Sequence, residues 1–177
     1  MEIFKQNKNA IYFLMVFIGS YLLFNTLYGL FIESFGTRPD PITISISKQV
    51  AAILRLWDNS VNAVVIDKSN NVSLRNEYRS VISVYEGCNG LNVFIVFVSF
   101  LFAFKGELKL TVAFTLFGAI CIHAMNLLRV ALLYLVEIYW PRYLYLFHKY
   151  LFTGIIYSVV FALWYLWVKR TRRDAFA

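Results

Sequence analysis

Three side chains in this sequence are of types that work together in acyl transfer: the thiol of Cys88, the guanidinium of Arg129 and the imidazole of His148. A thiol attacks a carbonyl carbon only as thiolate, a form favoured by a helix N-terminus or a nearby cation. An imidazole within reach can take the thiol proton and return it to a leaving amine. A guanidinium can hold the oxyanion that develops on the attacked carbonyl, or grip a substrate carboxylate with two parallel bonds. Cys88 stands in Glu86-Gly87-Cys88-Asn89-Gly90, just ahead of an apolar run, so it is expected in the first turn of a helix. The flanking glycines permit a tight turn or close approach by a substrate backbone. Asn126, three residues before Arg129, lies on a neighbouring part of the same helix face and can orient the guanidinium.

Each of these residues also has a plainer reading. Arg129 can snorkel to lipid headgroups, although Leu127-Leu128 before it and Val130 after it make an idle arginine costly. His148 stands among Tyr143, Tyr145, Phe147 and Lys149, as an ordinary membrane-interface residue would. The second cysteine, Cys121, lies deep in an apolar run and reads as a small buried side chain. His123 is embedded in the same run and reads as a hydrogen-bonding group within a bundle.

The elements that must position these groups are membrane helices. Hydrophobic residues make up 60% of the 177 and charged ones 15%, more apolar surface than a water-soluble domain of this size can hide. The net charge of +7 comes from cations that flank apolar runs instead of forming one stripe, which fits membrane orientation and excludes a nucleic-acid partner. Two cysteines with no metal-ligand spacing imply no metal, no cofactor and no disulfide scaffold. The fold class read from the pattern is an all-α membrane protein, a four-helix transmembrane bundle in one domain, residues 1–177. Its spans are expected at about residues 11–32, 88–104, 110–132 and 149–168. Basic residues Lys5, Lys8, Lys105, Lys109 and the 169–173 cluster put both ends in the cytoplasm. Residues 33–86 then form an extracytoplasmic insertion, with an amphipathic helix through Val50, Ile53, Leu54 and Trp57 lying on the outer leaflet. Short strands are expected at residues 61–66 and 81–85, with a turn at Ser69-Asn70-Asn71.

Heights along these helices bring the three reactive groups to one plane. Cys88 lies 17 residues before Lys105, or ~26 Å above it at ~1.5 Å per residue. Arg129 lies 20 residues after Lys109 and His148 21 before Lys169, or ~30 and ~31 Å above them. A hydrocarbon core is ~30 Å thick, so all three arrive at its outer boundary.

At these residues the chain resembles the exosortase/archaeosortase family of membrane cysteine transpeptidases. The resemblance rests on a Glu-x-Cys-x-Gly element, here Glu86 to Gly90, on Asn-x-x-Arg, here Asn126 to Arg129, and on a basic residue opening the next helix, here His148. It covers about residues 84–168, and the short chain with one N-terminal span looks most like the compact exosortase F-type proteins of Bacteroidetes. The resemblance implies Cys88 as nucleophile, Arg129 as oxyanion or substrate stabiliser and His148 as general acid/base, with Glu86, Gly90 and Asn126 in support. It implies an enzyme of the bacterial inner membrane, multi-pass, with its site at the extracytoplasmic face. Its partners would be exported proteins carrying a C-terminal transmembrane sorting signal, membrane lipids, and an acceptor such as a lipid. Such an enzyme cleaves the signal through a thioester. Many exosortases have Ala-Cys-Ser where this chain has Gly87-Cys88-Asn89, and about eight spans instead of four, which bears on how a substrate docks.

A non-catalytic membrane subunit of a secretion or exopolysaccharide assembly system is the alternative, with Arg129 and His148 as packing groups. A small transporter would need more polar groups at mid-membrane than His123 and Asn126. The membrane map has a direct test. Reporters fused after Lys8, between Lys105 and Lys109, and after Arg173 should read cytoplasm, and one at Asn70 should read outside. A cytoplasmic signal from Asn70 would overturn the map and the plane of reactive groups with it.

Overall fold

The computed structural model describes residues 7–104 and 106–174, with side chains to residue 171. Lys5 and Lys105 fall outside the described residues, as do the side chains of Arg172 and Arg173. The chain is mostly helical, with five main helices: α1 Lys8–Glu33, α2 Pro41–Leu54, α3 Leu91–Ala103, α4 Leu108–Tyr139 and α5 Phe152–Asp174. Three strands, β1 Asn62–Val65, β2 Val72–Arg75 and β3 Ser80–Val84, lie between α2 and α3. Helical turns over Pro141–Tyr143 and Leu144–Leu146 and a π-helical turn over Phe147–Leu151 lead into α5.

Among the described residues three helical stretches are long and apolar enough to cross a membrane: Lys8–Glu33, Leu108–Tyr139 and Pro141–Thr171. Where the sequence predicts a span at 88–104, the helix itself is only Leu91–Ala103, 13 residues or ~20 Å. Gly90, left-handed at φ 80°, starts it late, and Phe104, extended at ψ 101°, ends it. This short helix is nevertheless central. Phe97 and Leu101 are buried against Ile122 of α4 and Ile156, Val160, Leu163 and Trp167 of α5. Aromatic rings fill the joints, with Phe100 stacked on Trp164 at 4.4 Å and Phe114 tilted against Trp167 at 5.1 Å. By contrast, α1 buries no residue and lies along α3, leaving Leu14, Met15, Leu22, Leu23 and Leu30 exposed. An apolar face of that kind is what lipid covers.

A second core sits beside the bundle. Ile46, Val50, Ala51 and Leu54 of α2 pack with Val61 just ahead of β1, with Leu74, Val81 and Val84 of the sheet, and with Val130, Ala131 and Tyr134 of α4. Two expectations change here. Val50 and Leu54 face this core, and only Ile53 and Trp57 remain exposed, so the apolar side of α2 is covered by protein rather than by the outer leaflet. The helix is capped by Asp40, which accepts from the amides of Ile42 and Thr43 at 2.9 and 3.0 Å, with Pro41 in its first turn. The sheet also has a middle strand, Val72–Arg75, that the sequence pattern does not announce. Its order is β1-β2-β3, antiparallel throughout, with Val65 opposite Val72 and Val72 opposite Val84.

Helix α4 joins the two cores. Its 32 residues reach ~48 Å, well beyond a ~30 Å hydrocarbon layer. It therefore runs past residue 132, where the apolar pattern suggests a span would end, because no glycine or proline intervenes before Pro141. Trp140, at φ −139° and ψ 56°, leaves the helix as a residue before proline tends to.

Close approach of α3 and α4 depends on Gly118, where an added Cβ would lie 2.3 Å from the Phe97 ring. Gly154 of α5 has nothing within 4 Å. Gly118→Ala should therefore lower the thermal unfolding midpoint of the purified protein in detergent, by a cost of about 1–3 kcal/mol for overpacking. Gly154→Ala should leave it unchanged or raised. Equal midpoints for the two variants would contradict this packing.

Candidate functional site

The site is built on the turn that carries Cys88. Tyr85 leaves β3 in an extended conformation, and Glu86–Cys88 then wind into a 3-10 turn closed by the Cys88 amide on the Tyr85 carbonyl at 2.8 Å. Asn89, one residue ahead of the N-cap Gly90, accepts from the Leu91 amide at 2.9 Å in a local turn that leads into α3. Its side-chain amide donates to the Tyr28 hydroxyl of α1 at 2.7 Å and to the buried Thr43 hydroxyl of α2 at 3.3 Å. The Tyr28 hydroxyl in turn donates to the Glu86 carbonyl at 3.2 Å. Asn126, fully buried on α4, donates to the Cys88 carbonyl at 3.0 Å. Four elements thus hold one turn.

Two glycines make that turn possible. At Gly90 the positive φ disfavours a side chain, and a Cβ would lie 2.9 Å from Asn126 Cγ. At Gly87 a Cβ would lie 2.4 Å from the Tyr85 ring, which folds across it. The carboxylate of Glu86 accepts from Asn70 Nδ2 at 2.8 and 3.0 Å, so it clasps the β1–β2 turn and does not reach for the thiol.

The reactive groups lie close to one another. Cys88, a free thiol only 7% exposed, and His148 line the same cavity of about 300 Å³, together with Tyr85, Leu133, Glu137 and the residues of β3. Arg129 Nη2 lies 3.2 Å from His148 Nδ1. A guanidinium nitrogen always donates, so Nδ1 accepts and the ring is the neutral tautomer with its hydrogen on Nε2. His148 stands in the π-helical turn Phe147–Leu151, a distortion often found where a helix serves function, and Thr153 donates to its carbonyl at 3.0 Å. Arg129 Nε and Asn126 Oδ1 are buried without a hydrogen-bond partner among the described residues. The Tyr85 hydroxyl is held above its ordinary range, first by its electrostatic interaction with Cys88, then by burial and its side-chain interaction with that sulfur.

The other sequence candidates separate from this cluster. Cys121 packs in the bundle core and does not line the cavity. His123 shares a 2.8 Å hydrogen bond with Gln49 of α2. Among the described residues no three of His, Cys, Asp and Glu gather where they could hold a metal ion. Tyr85, Asn89 and Tyr28 are site residues that sequence reasoning passes over. Asn89 alone carried a signal, as a residue of the N-cap type just ahead of an apolar run.

The family model for transmembrane exosortase (EpsH) matches residues 8–168, nearly the whole chain. No curated protein and no solved structure gives a significant match. With the family match extending from the first described helix into α5, the chain belongs to the transmembrane exosortase family.

Proposed function

We propose that this protein is a membrane cysteine transpeptidase that cleaves a C-terminal sorting signal from exported proteins and passes them to an acceptor. The observation that carries the reading is the shared cavity of Cys88 and His148, with Arg129 bonded to that histidine and holding a spare buried donor. Family membership supports it. In this reading α3 and the turn before it make a fourth crossing, both ends lie in the cytoplasm of a bacterium, and the cavity opens on the outer side of the inner membrane.

The chemistry runs in two balanced halves. Cys88 Sγ adds to the substrate carbonyl carbon, and Arg129 turns from His148 to the oxyanion, which frees Nδ1 to take the thiol proton. The C–N bond breaks, His148 returns that proton to the departing amine, and the carbonyl stays on sulfur as a thioester. A hydroxyl or amine of the acceptor, a lipid in this reading, then attacks the thioester and its proton returns to the thiol. Asn126 and Gly90 hold the turn for both steps, and Glu86 anchors it through Asn70.

Processing of exported proteins, read beside membrane abundance of each variant, tests this. Cys88→Ala should abolish processing and Cys121→Ala should leave it normal. Arg129→Lys keeps a long cationic side chain but loses the planar fork, and cleavage should slow by about a hundredfold, as when an oxyanion donor is removed. His148→Ala should fall steeply as well. Normal processing by Cys88→Ala at full abundance would favour the non-catalytic membrane subunit, and near-normal cleavage by Arg129→Lys would return Arg129 to the lipid interface.

A further inference from the structure

We propose that the free edge of β3 is the docking strand for the substrate, which adds to the sheet as a fourth strand running parallel to β3 toward Cys88. The inference rests on the proposed cleavage activity and specifies how its polypeptide is held.

Five consecutive residues, Val81 to Tyr85, line the cavity that holds Cys88 and His148. Side chains of a strand alternate between faces, so a run without alternation means that the cavity lies along the backbone edge. In the order β1-β2-β3 that edge pairs with no strand among the described residues. Exposed edges are commonly blunted with lysine, proline or inward charge, and Ser80-Val81-Ile82-Ser83-Val84 carries none of these. The cleft is also braced. Arg79, at the entry to β3, pairs with the Glu137 carboxylate of α4 at 3.7 Å and donates to the Glu137 carbonyl at 3.3 Å. The clasp fixes the start of β3 to α4, and the cavity of about 300 Å³ lies along the edge beyond it.

An extended polypeptide is the occupant that such an edge fits, because backbone bonds give affinity without regard to side chains. Direction follows from connectivity. β3 leads by Tyr85 into the Cys88 turn and on into α3. A substrate with a C-terminal transmembrane signal also runs from outside toward the membrane, so with its scissile carbonyl at Cys88 it lies parallel to β3. At ~3.3 Å per residue, the five residues of β3 span ~17 Å, enough to contact about five substrate residues on the N-terminal side of the cleaved bond.

The test places a photocrosslinking residue, p-benzoylphenylalanine, at Ser83 in the full-length Cys88→Ala protein in living cells, with Val65 on β1 as the control. Both positions are exposed, on opposite edges of the sheet. Adduct peptides mapped by mass spectrometry should come from Ser83 and not from Val65. They should fall within about five residues of one another, just before the C-terminal transmembrane helix of an exported protein. No adduct at Ser83, equal adducts at Val65, or adducts mapping elsewhere in the captured proteins would overturn the docking strand. Ser83 adducts of the expected kind in cells where Cys88→Ala still processes would keep the docking strand and remove the thiol chemistry.

Discussion

A side-chain N–H buried in an apolar bundle needs an acceptor, and the amide nitrogen of Asn126 finds the carbonyl of Cys88. Leaving such a group unpaired costs about 1–3 kcal/mol. The bond needs α4 and the Cys88 turn to come within 3.0 Å, which in turn needs Gly90 to have no side chain and a positive φ. From this contact the rest of the site follows. The turn is fixed to the helix that carries Arg129 three residues on, so thiol and guanidinium share one reference frame. Asn89, one residue after Cys88, then ties the same turn to α1 and α2.

Helix α4 is the rigid member of this arrangement. Its first half packs in the bundle through Ile122, and its second half carries Val130, Ala131 and Tyr134 into the core of the sheet. Asn126 and Arg129 stand at the junction, between an apolar environment that strengthens electrostatic interactions and a small folded head that shapes a cavity. The five-residue π-helical turn at His148 brings a second helix to the same junction. Neither core alone would assemble the three groups.

Much of this was legible in the sequence, for identifiable reasons. Apolar runs longer than 18 residues announce membrane helices, and the helical rise converts positions into heights, so Cys88, Arg129 and His148 could be placed at one level. Lateral convergence was not legible, because heights say nothing of how helices are arranged around an axis. The short α3 illustrates another limit. Its run of apolar residues reads as a span, and only the left-handed conformation at Gly90 shows where the helix begins. The covered face of α2 was missed because an amphipathic helix looks the same whether lipid or protein lies against it. Val72–Arg75 was missed because four residues with a serine and an arginine give too little alternation to stand out. Tyr85 had no signal at all; its role depends on a ring folding over Gly87.

The central claim is that Cys88 forms a covalent thioester with the exported protein, inside the cavity it shares with His148. Acid quenching of the enzyme during turnover, followed by mass spectrometry, tests that claim most directly. The account predicts an exported polypeptide joined to Cys88 through its new C-terminal carbonyl, released by neutral hydroxylamine and present equally in Cys121→Ala. Processing that proceeds at full rate with no adduct on Cys88, or with the adduct on another residue, would contradict it.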